Sequence, residues 1–124
     1  MNTYKAPLKD MKFVMFDLLQ AERCYQQLGF ENAERDLLDA VLEEGAKFTE
    51  QVLAPLNGSG DRQGCHFDKD SGAVRTPDGF KQAYKQFVEA GWSGLTAAEA
   101  YGGQGLPESL GVVFKEMIDA ANLS

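Results

Sequence analysis

From Asn32 or Glu34 to about Leu53, apolar residues recur at the helical period, with Leu37, Leu38, Val41, Leu42, Phe48, Val52 and Leu53 on one broad stripe. Asp36, Asp39, Glu43, Lys47 and Glu50 lie opposite. Nothing apolar surrounds these carboxylates to raise a pKa, so they read as a water-facing surface and not as a catalytic pair. Gly45 falls on the apolar stripe, where the missing side chain lets a neighbouring backbone come close, at a cost of about 1 kcal/mol relative to Ala. Pro55 and Asn57-Gly58 are expected to end this helix. Ahead of it, seven of the nine positions from Met11 to Leu19 are apolar. A helix without a polar face is buried among several neighbours, so this segment is expected to need cover from a further domain or a partner subunit.

Residues 57–64 carry loop chemistry, with Gly and Asn supplying positive φ angles. Cys65-His66-Phe67 and Ala73-Val74-Arg75 flank Asp68-Lys69-Asp70-Ser71-Gly72, which predicts a short hairpin. Thr76-Pro77-Asp78 combines a capping residue, Pro at the first helical position and an acid in the first turn, so a helix is expected to start there. Phe80, Ala83, Tyr84, Phe87 and Val88 form its apolar stripe, and Gly91 suits its end. A short helix or turn over residues 96–101 closes at Gly102-Gly103. Pro107 then opens a last helix to about Ala121, with Leu110, Val113, Phe114, Met117, Ile118 and Ala121 turned inward. The pattern predicts an all-α chain, a helical bundle of about four to five helices with a small irregular β-hairpin.

Composition narrows the setting. The 124 residues suit one compact domain or a piece of a larger protein, and 44% apolar with 25% charged residues fits a globular core. A formal charge of -7 opposes the counterion release that drives binding to a phosphate backbone, so no nucleic-acid partner is expected. No window approaches the roughly 20 apolar residues of a membrane span, and the start lacks the pattern of an export signal. Cys24 and Cys65 do not make a disulfide framework, so a reducing, cytoplasmic setting is expected.

Few residues offer chemistry by themselves. His66 follows Cys65 directly, and neighbours on an extended segment point to opposite faces, which spoils a thiolate and base pair. Two Cys and one His cannot complete a structural zinc site without carboxylates, so no metal site is expected. Asp68 to Gly72 lacks the sixth-position Gly and the closing Glu of a calcium loop and reads as a solvated turn. Gly58, Gly60 and Gly64 miss the spacing of a dinucleotide loop and follow a helix instead of a strand. The most unusual string is Tyr101-Gly102-Gly103-Gln104-Gly105-Leu106-Pro107. It reads either as a sharp connection between helices or as a loop that lets a ligand approach the main chain.

Three stretches carry a resemblance that covers nearly the whole chain. They are Tyr4 to Phe13; Gly60-Asp61-Arg62-Gln63-Gly64-Cys65 with Val74 to Tyr84; and Gly91-Trp92-Ser93-Gly94-Leu95 with Ala98 to Pro107. Together they resemble the amino-terminal portion of the acyl-CoA dehydrogenase family, in its long-form bacterial members. The resemblance implies an N-terminal extension over residues 1–30, with an apolar helix, and a truncated helical domain over residues 31–124. It also implies that the family's FAD-binding β-domain and C-terminal helical domain lie outside this chain. The parent would be an FAD-dependent flavoenzyme that introduces an α,β double bond into an acyl-CoA, and it would assemble as a homo-oligomer. No cofactor or turnover is expected of these 124 residues alone, and no catalytic or cofactor-binding residue is assigned within them. Tyr101, Gly102 and Gly103 would lie near the substrate cleft. The alternative is a stand-alone helical module for protein interaction or for acyl or lipid binding.

Overall fold

Leu38 and Leu42 from one helix and Leu110 and Met117 from another lie at the centre of the molecule, each no more than 1% exposed. These helices are α3 (Arg35–Phe48) and α6 (Glu108–Ala121) in a computed structural model that describes residues 3–124. Their seam closes at Gly45. A Cβ there would stand 2.9 Å from the Phe114 ring, so it is a ring, and not a neighbouring backbone, that uses the space. Around this seam the described residues form five helical rods and one two-stranded sheet.

The long central rod does not stop at Pro55. After α3 it widens into a π turn at Thr49–Leu53 and runs on as α4 (Ala54–Gln63). A proline inside a helix lacks an N–H and pushes its ring against the carbonyl four residues back, here that of Gln51. The wide turn lies immediately ahead of Pro55 and lets the rod pass it. Thr49, fully buried, donates its hydroxyl to the carbonyls of Gly45 at 2.9 Å and Ala46 at 3.0 Å. Residues 57–63, expected as a loop, are therefore helical. Gly60 is buried against Phe80, whose Cζ would lie 2.5 Å from an added Cβ, so packing explains this glycine.

The hairpin forms as the sequence predicts, β1 (His66–Phe67) against antiparallel β2 (Val74–Arg75), with both strands exposed. The next helix, α5 (Phe80–Glu89), starts later than its capping signal. Thr76 makes no cap; the Asp78 N–H donates to Gln63 Oε1 at 2.8 Å, and Gly79 turns the chain at φ 86°. Of its apolar stripe only Ala83 is buried, while Tyr84 and Val88 face outward. Gly91 ends the helix at φ 81°, in the left-handed conformation that its position calls for.

The segment before α3 folds as α1 (Leu8–Lys12), a second π turn (Phe13–Leu18) and α2 (Ala21–Gln27). Met11, Met15, Phe16 and Tyr25 join the same core cluster as α3 and α6. Polar contacts fix the register of this segment along α3 and the π turn that follows it. Lys12 pairs with Asp39 at 3.3 Å and Glu43 at 3.0 Å, and Lys5 pairs with Glu50 at 2.8 Å. The Ala6 N–H donates to Glu50 Oε1 at 2.9 Å, and the Arg35 guanidinium lies 3.8 Å above the Phe16 ring. The carboxylates expected to be merely water-facing thus include three that hold the preceding segment.

The Lys5 ammonium, and next the Ala6 N–H, hold the Glu50 carboxyl below its usual range. A lowered acid stabilises the fold above its ordinary value of 4.5, and that contribution is lost as pH falls through the lowered value. Replacing Glu50 by Gln is expected to cost roughly 1 kcal/mol near neutral pH and to flatten the loss on acidification. Hydrogen exchange at Ala6 to Met11, followed against pH in both proteins, checks this; equal protection in the two would contradict it.

Candidate functional site

The glycine-rich connection between α5 and α6 is a tied structure. Two 3-10 turns, Trp92–Gly94 and Glu99–Tyr101, lead into an extended run to Pro107. Every backbone N–H from Tyr101 to Leu106 has a partner within the connection. Tyr101 and Gly103 donate to Ala98 O, Gly102 to Glu99 O, Gln104 to Gly94 O at 2.9 Å, Gly105 to Ala97 O at 2.9 Å, and Leu106 to Leu95 O. Gly102 sits at φ 83°, which disfavours any residue with a Cβ. Gly103 faces the main chain of Ala97 so closely that an added Cβ would overlap the Ala97 carbonyl. The glycines therefore serve a sharp connection, and the same rigidity presents Tyr101 to solvent at 90% exposure.

Tyr101, Gly102 and Gly103 stand together because they are consecutive. The sequence reading passed over Gln104. Its amide donates to Gly91 O at 3.0 Å, clamping the end of α5 to the run that precedes α6. Its signal was visible, a single long polar side chain in an otherwise small and apolar string. Gln104 also borders two depressions. One is an apolar groove of about 500 Å³ walled by Val41, Phe48, Val52, Trp92 and Leu95, with Glu44 and Lys47 at its rim. The other, of about 190 Å³, is bordered by Glu31, Asn32, Glu99 and Gly105. Trp92 stacks on Phe114 with ring centroids 4.3 Å apart, so the connection is anchored on the α3–α6 seam.

The remaining candidates are dispersed. Cys24, Cys65 and His66 are exposed and lie on α2 and the hairpin. Asp68 caps its own turn, accepting from the N–H groups of Asp70 at 2.9 Å and Ser71 at 3.2 Å. Those donors, Ser71 first, hold its carboxyl below the usual range. Burial, then the nearby carboxylates Glu50 and Glu116, pushes the Tyr4 phenol up. Among the described residues no group of three or more His, Cys, Asp and Glu could hold a metal ion. Among them, too, no helix is long and apolar enough to cross a membrane.

A flavin dinucleotide needs free backbone or cationic donors for its pyrophosphate. The N–H groups from Tyr101 to Leu106 are all engaged internally, and the Lys47 ammonium at the groove rim is held by Glu44 at 2.5 Å. The run from Tyr101 to Leu106 thus offers no free N–H to a flavin pyrophosphate, and no reaction step is assigned to it.

The sequence profile described as "Acyl-CoA dehydrogenase, N-terminal domain" matches residues 35–124. The chain belongs to the acyl-CoA dehydrogenase family and corresponds to its N-terminal domain. It is 35% identical over 122 residues to the 3-methylmercaptopropionyl-CoA dehydrogenase of Ruegeria pomeroyi, covering 98% of this chain and 20% of that protein. It is 28% identical over 122 residues to the broad-specificity linear acyl-CoA dehydrogenase FadE5 of Mycobacterium tuberculosis, with the same coverage. A butyryl-CoA dehydrogenase of Syntrophomonas wolfei matches at 33% identity over 92 residues, 73% of this chain and 15% of its own length. The chain thus spans about a fifth of the length of the first two relatives.

Replacing Gly103 by Ala is expected to open the connection, because the Ala97 carbonyl is main chain and cannot step aside. A loss of about 2–4 kcal/mol follows, since both strain and hydrogen bonds are affected. Chemical denaturation checks it; a variant as stable as the parent would show that the close contact has no cost.

Proposed function

We propose that this chain is the N-terminal helical part of an FAD-dependent acyl-CoA dehydrogenase that oxidises acyl-CoA thioesters between the α and β carbons. In this reading residues 1–30 are an appended extension and residues 31–124 an incomplete helical domain. The flavin-binding β-domain and the C-terminal helical domain belong to the rest of the parent polypeptide, which supplies the catalytic carboxylate. The parent works in the cytoplasm, in fatty acid metabolism, as a homo-oligomer. The observation that carries the reading is the length relation: two dehydrogenases about five times longer align with 98% of this chain.

This chain's contribution is architectural. The α3–α6 seam fixes Trp92 and Trp92 fixes the glycine connection; in this reading the connection holds Tyr101, Gly102 and Gly103 at the edge of the parent's substrate cleft. Because the N–H groups from Tyr101 to Leu106 are already engaged, the Tyr101 side chain is what this run can offer to an acyl-CoA.

Expression of the coding sequence that continues beyond Ser124 tests the proposal. The expected product is a yellow protein that reduces an electron acceptor when given acyl-CoA, whereas the 124-residue chain stays colourless after gel filtration. A stop codon directly after Ser124 would contradict it and favour the stand-alone module. So would a remainder with neither a β-rich section nor a second helical bundle.

A further inference from the structure

At Asn122 the polypeptide leaves α6 along a fixed course. The residue is extended, at φ -157° and ψ 116°, and its Nδ2 donates to the Leu53 carbonyl at 2.9 Å, which ties the exit to the central rod. The Leu123 N–H donates to Asn57 Oδ1 at 3.2 Å. The Ser124 N–H and hydroxyl both donate to Asn122 Oδ1, at 3.0 Å and 2.8 Å. Gly60 completes the crossing. A Cβ there would overlap both Ser124 Oγ and Phe80 Cζ, so a side chain at this position of α4 would block the route.

This course runs along the rim of an apolar groove of about 300 Å³ formed by Leu53, Leu56, Phe80, Tyr84, Phe87 and Ile118, with Asn122 and Ser124 at its edge. Among the described residues no charged side chain lines it. The Asn122 amide and the Ser124 hydroxyl are engaged in the bonds of the exit, so the groove suits apolar side chains and offers little to a polar head group. On its α5 wall Tyr84 stacks on Phe87 with ring centroids 6.3 Å apart and yet is 67% exposed. The uncovered stripe of α5 and the exit of α6 thus meet at one place.

We propose that the residues directly following Ser124 in the parent polypeptide lay apolar side chains into this groove and cover Tyr84. This rests on the function proposed above, in which the polypeptide continues, and extends it. The course of the backbone selects the occupant. Consecutive Cα atoms are about 3.8 Å apart, so the residues that follow set out from the groove's own rim, in a direction fixed by Asn122, Asn57 and Gly60. A segment tethered there acts at an effective concentration on the order of millimolar, which a second copy or a free apolar ligand would have to exceed to displace it.

A reporter thiol placed by Tyr84→Cys tests this, with the exposed Cys65 as internal reference. Maleimide labelling of the two thiols, resolved by peptide mass spectrometry, is compared in the 124-residue chain and in the parent-length protein. The thiol at position 84 is expected to label at least about tenfold more slowly, relative to Cys65, in the parent. Replacing about six residues after Ser124 by a Gly-Ser linker of equal length is expected to restore its reactivity. Should the linker variant fail to fold, the 124-residue chain is extended either by the natural following residues or by a Gly-Ser tail, and only the natural extension is expected to protect. Equal relative rates in chain and parent, or in the two extended chains, would overturn the proposal. Protection that survives the linker would overturn it in favour of a more distant part of the polypeptide, and protection of the 124-residue chain that rises with its concentration would do so in favour of a second copy. A yellow, active parent with a fully reactive thiol at position 84 would sink this seat alone and leave the proposed function standing.

Discussion

The architecture depends on one ring in one gap. Gly45 leaves the face of α3 open, Phe114 from α6 enters it, and Trp92 stacks on Phe114 at 4.3 Å. Phe87 adds a further stacked contact at 6.4 Å, which brings α5 to the same point. Aromatic pairs of this kind contribute about 0.5–1.5 kcal/mol each beyond their buried area. Their larger effect here is positional, because the connection from Gly91 to Pro107 hangs from Trp92 at one end and from α6 at the other. A loop bonded only within itself would be rigid but unplaced; the aromatic stack places it.

Two wide turns perform the other structural work. The turn at Thr49–Leu53 carries the central rod past Pro55, so α3 and α4 act as one beam along which the remaining helices are arranged. The turn at Phe13–Leu18 divides a run that is apolar nearly all round into an inner and an outer face. In both cases one backbone device resolves a conflict in the sequence, first a proline in a helix and then an excess of apolar side chains. The carboxylates of Asp39, Glu43 and Glu50 add direction to this packing, since apolar contacts alone would leave the leading segment free to slide.

Most of the helical architecture was legible because burial obeys the helical period. Leu38, Leu42, Leu110, Phe114 and Met117 are core residues in the sequence pattern and in the structure alike. The misreadings share a cause, in that each took a local signal where a tertiary contact decided. Pro55, Gly58 and Gly60 read as a helix end and a loop, yet the π turn and the packing of Phe80 on Gly60 keep that stretch helical. Thr76 reads as a cap, but the Gln63 side chain takes the Asp78 N–H and delays the helix to Phe80. Of the candidate site, the need for glycine at positions 102 and 103 was legible. The engagement of every N–H from Tyr101 to Leu106 was not, because hydrogen-bond partners across a loop leave no periodic trace. Gln104 stood out as a long polar side chain, but its partner Gly91, thirteen residues away, was not legible for the same reason.

The dependence of the loop on the seam is tested most directly by Gly45→Ala, read by hydrogen exchange at Gln104, Gly105 and Leu106. On helix propensity alone the substitution would stabilise α3 by about 1 kcal/mol. With Phe114 only 2.9 Å from the added carbon, the account predicts that the ring is displaced, the Trp92 stack loosens and these three amides exchange faster, with a lower melting temperature. A more stable variant whose loop amides remain as protected as before would contradict it.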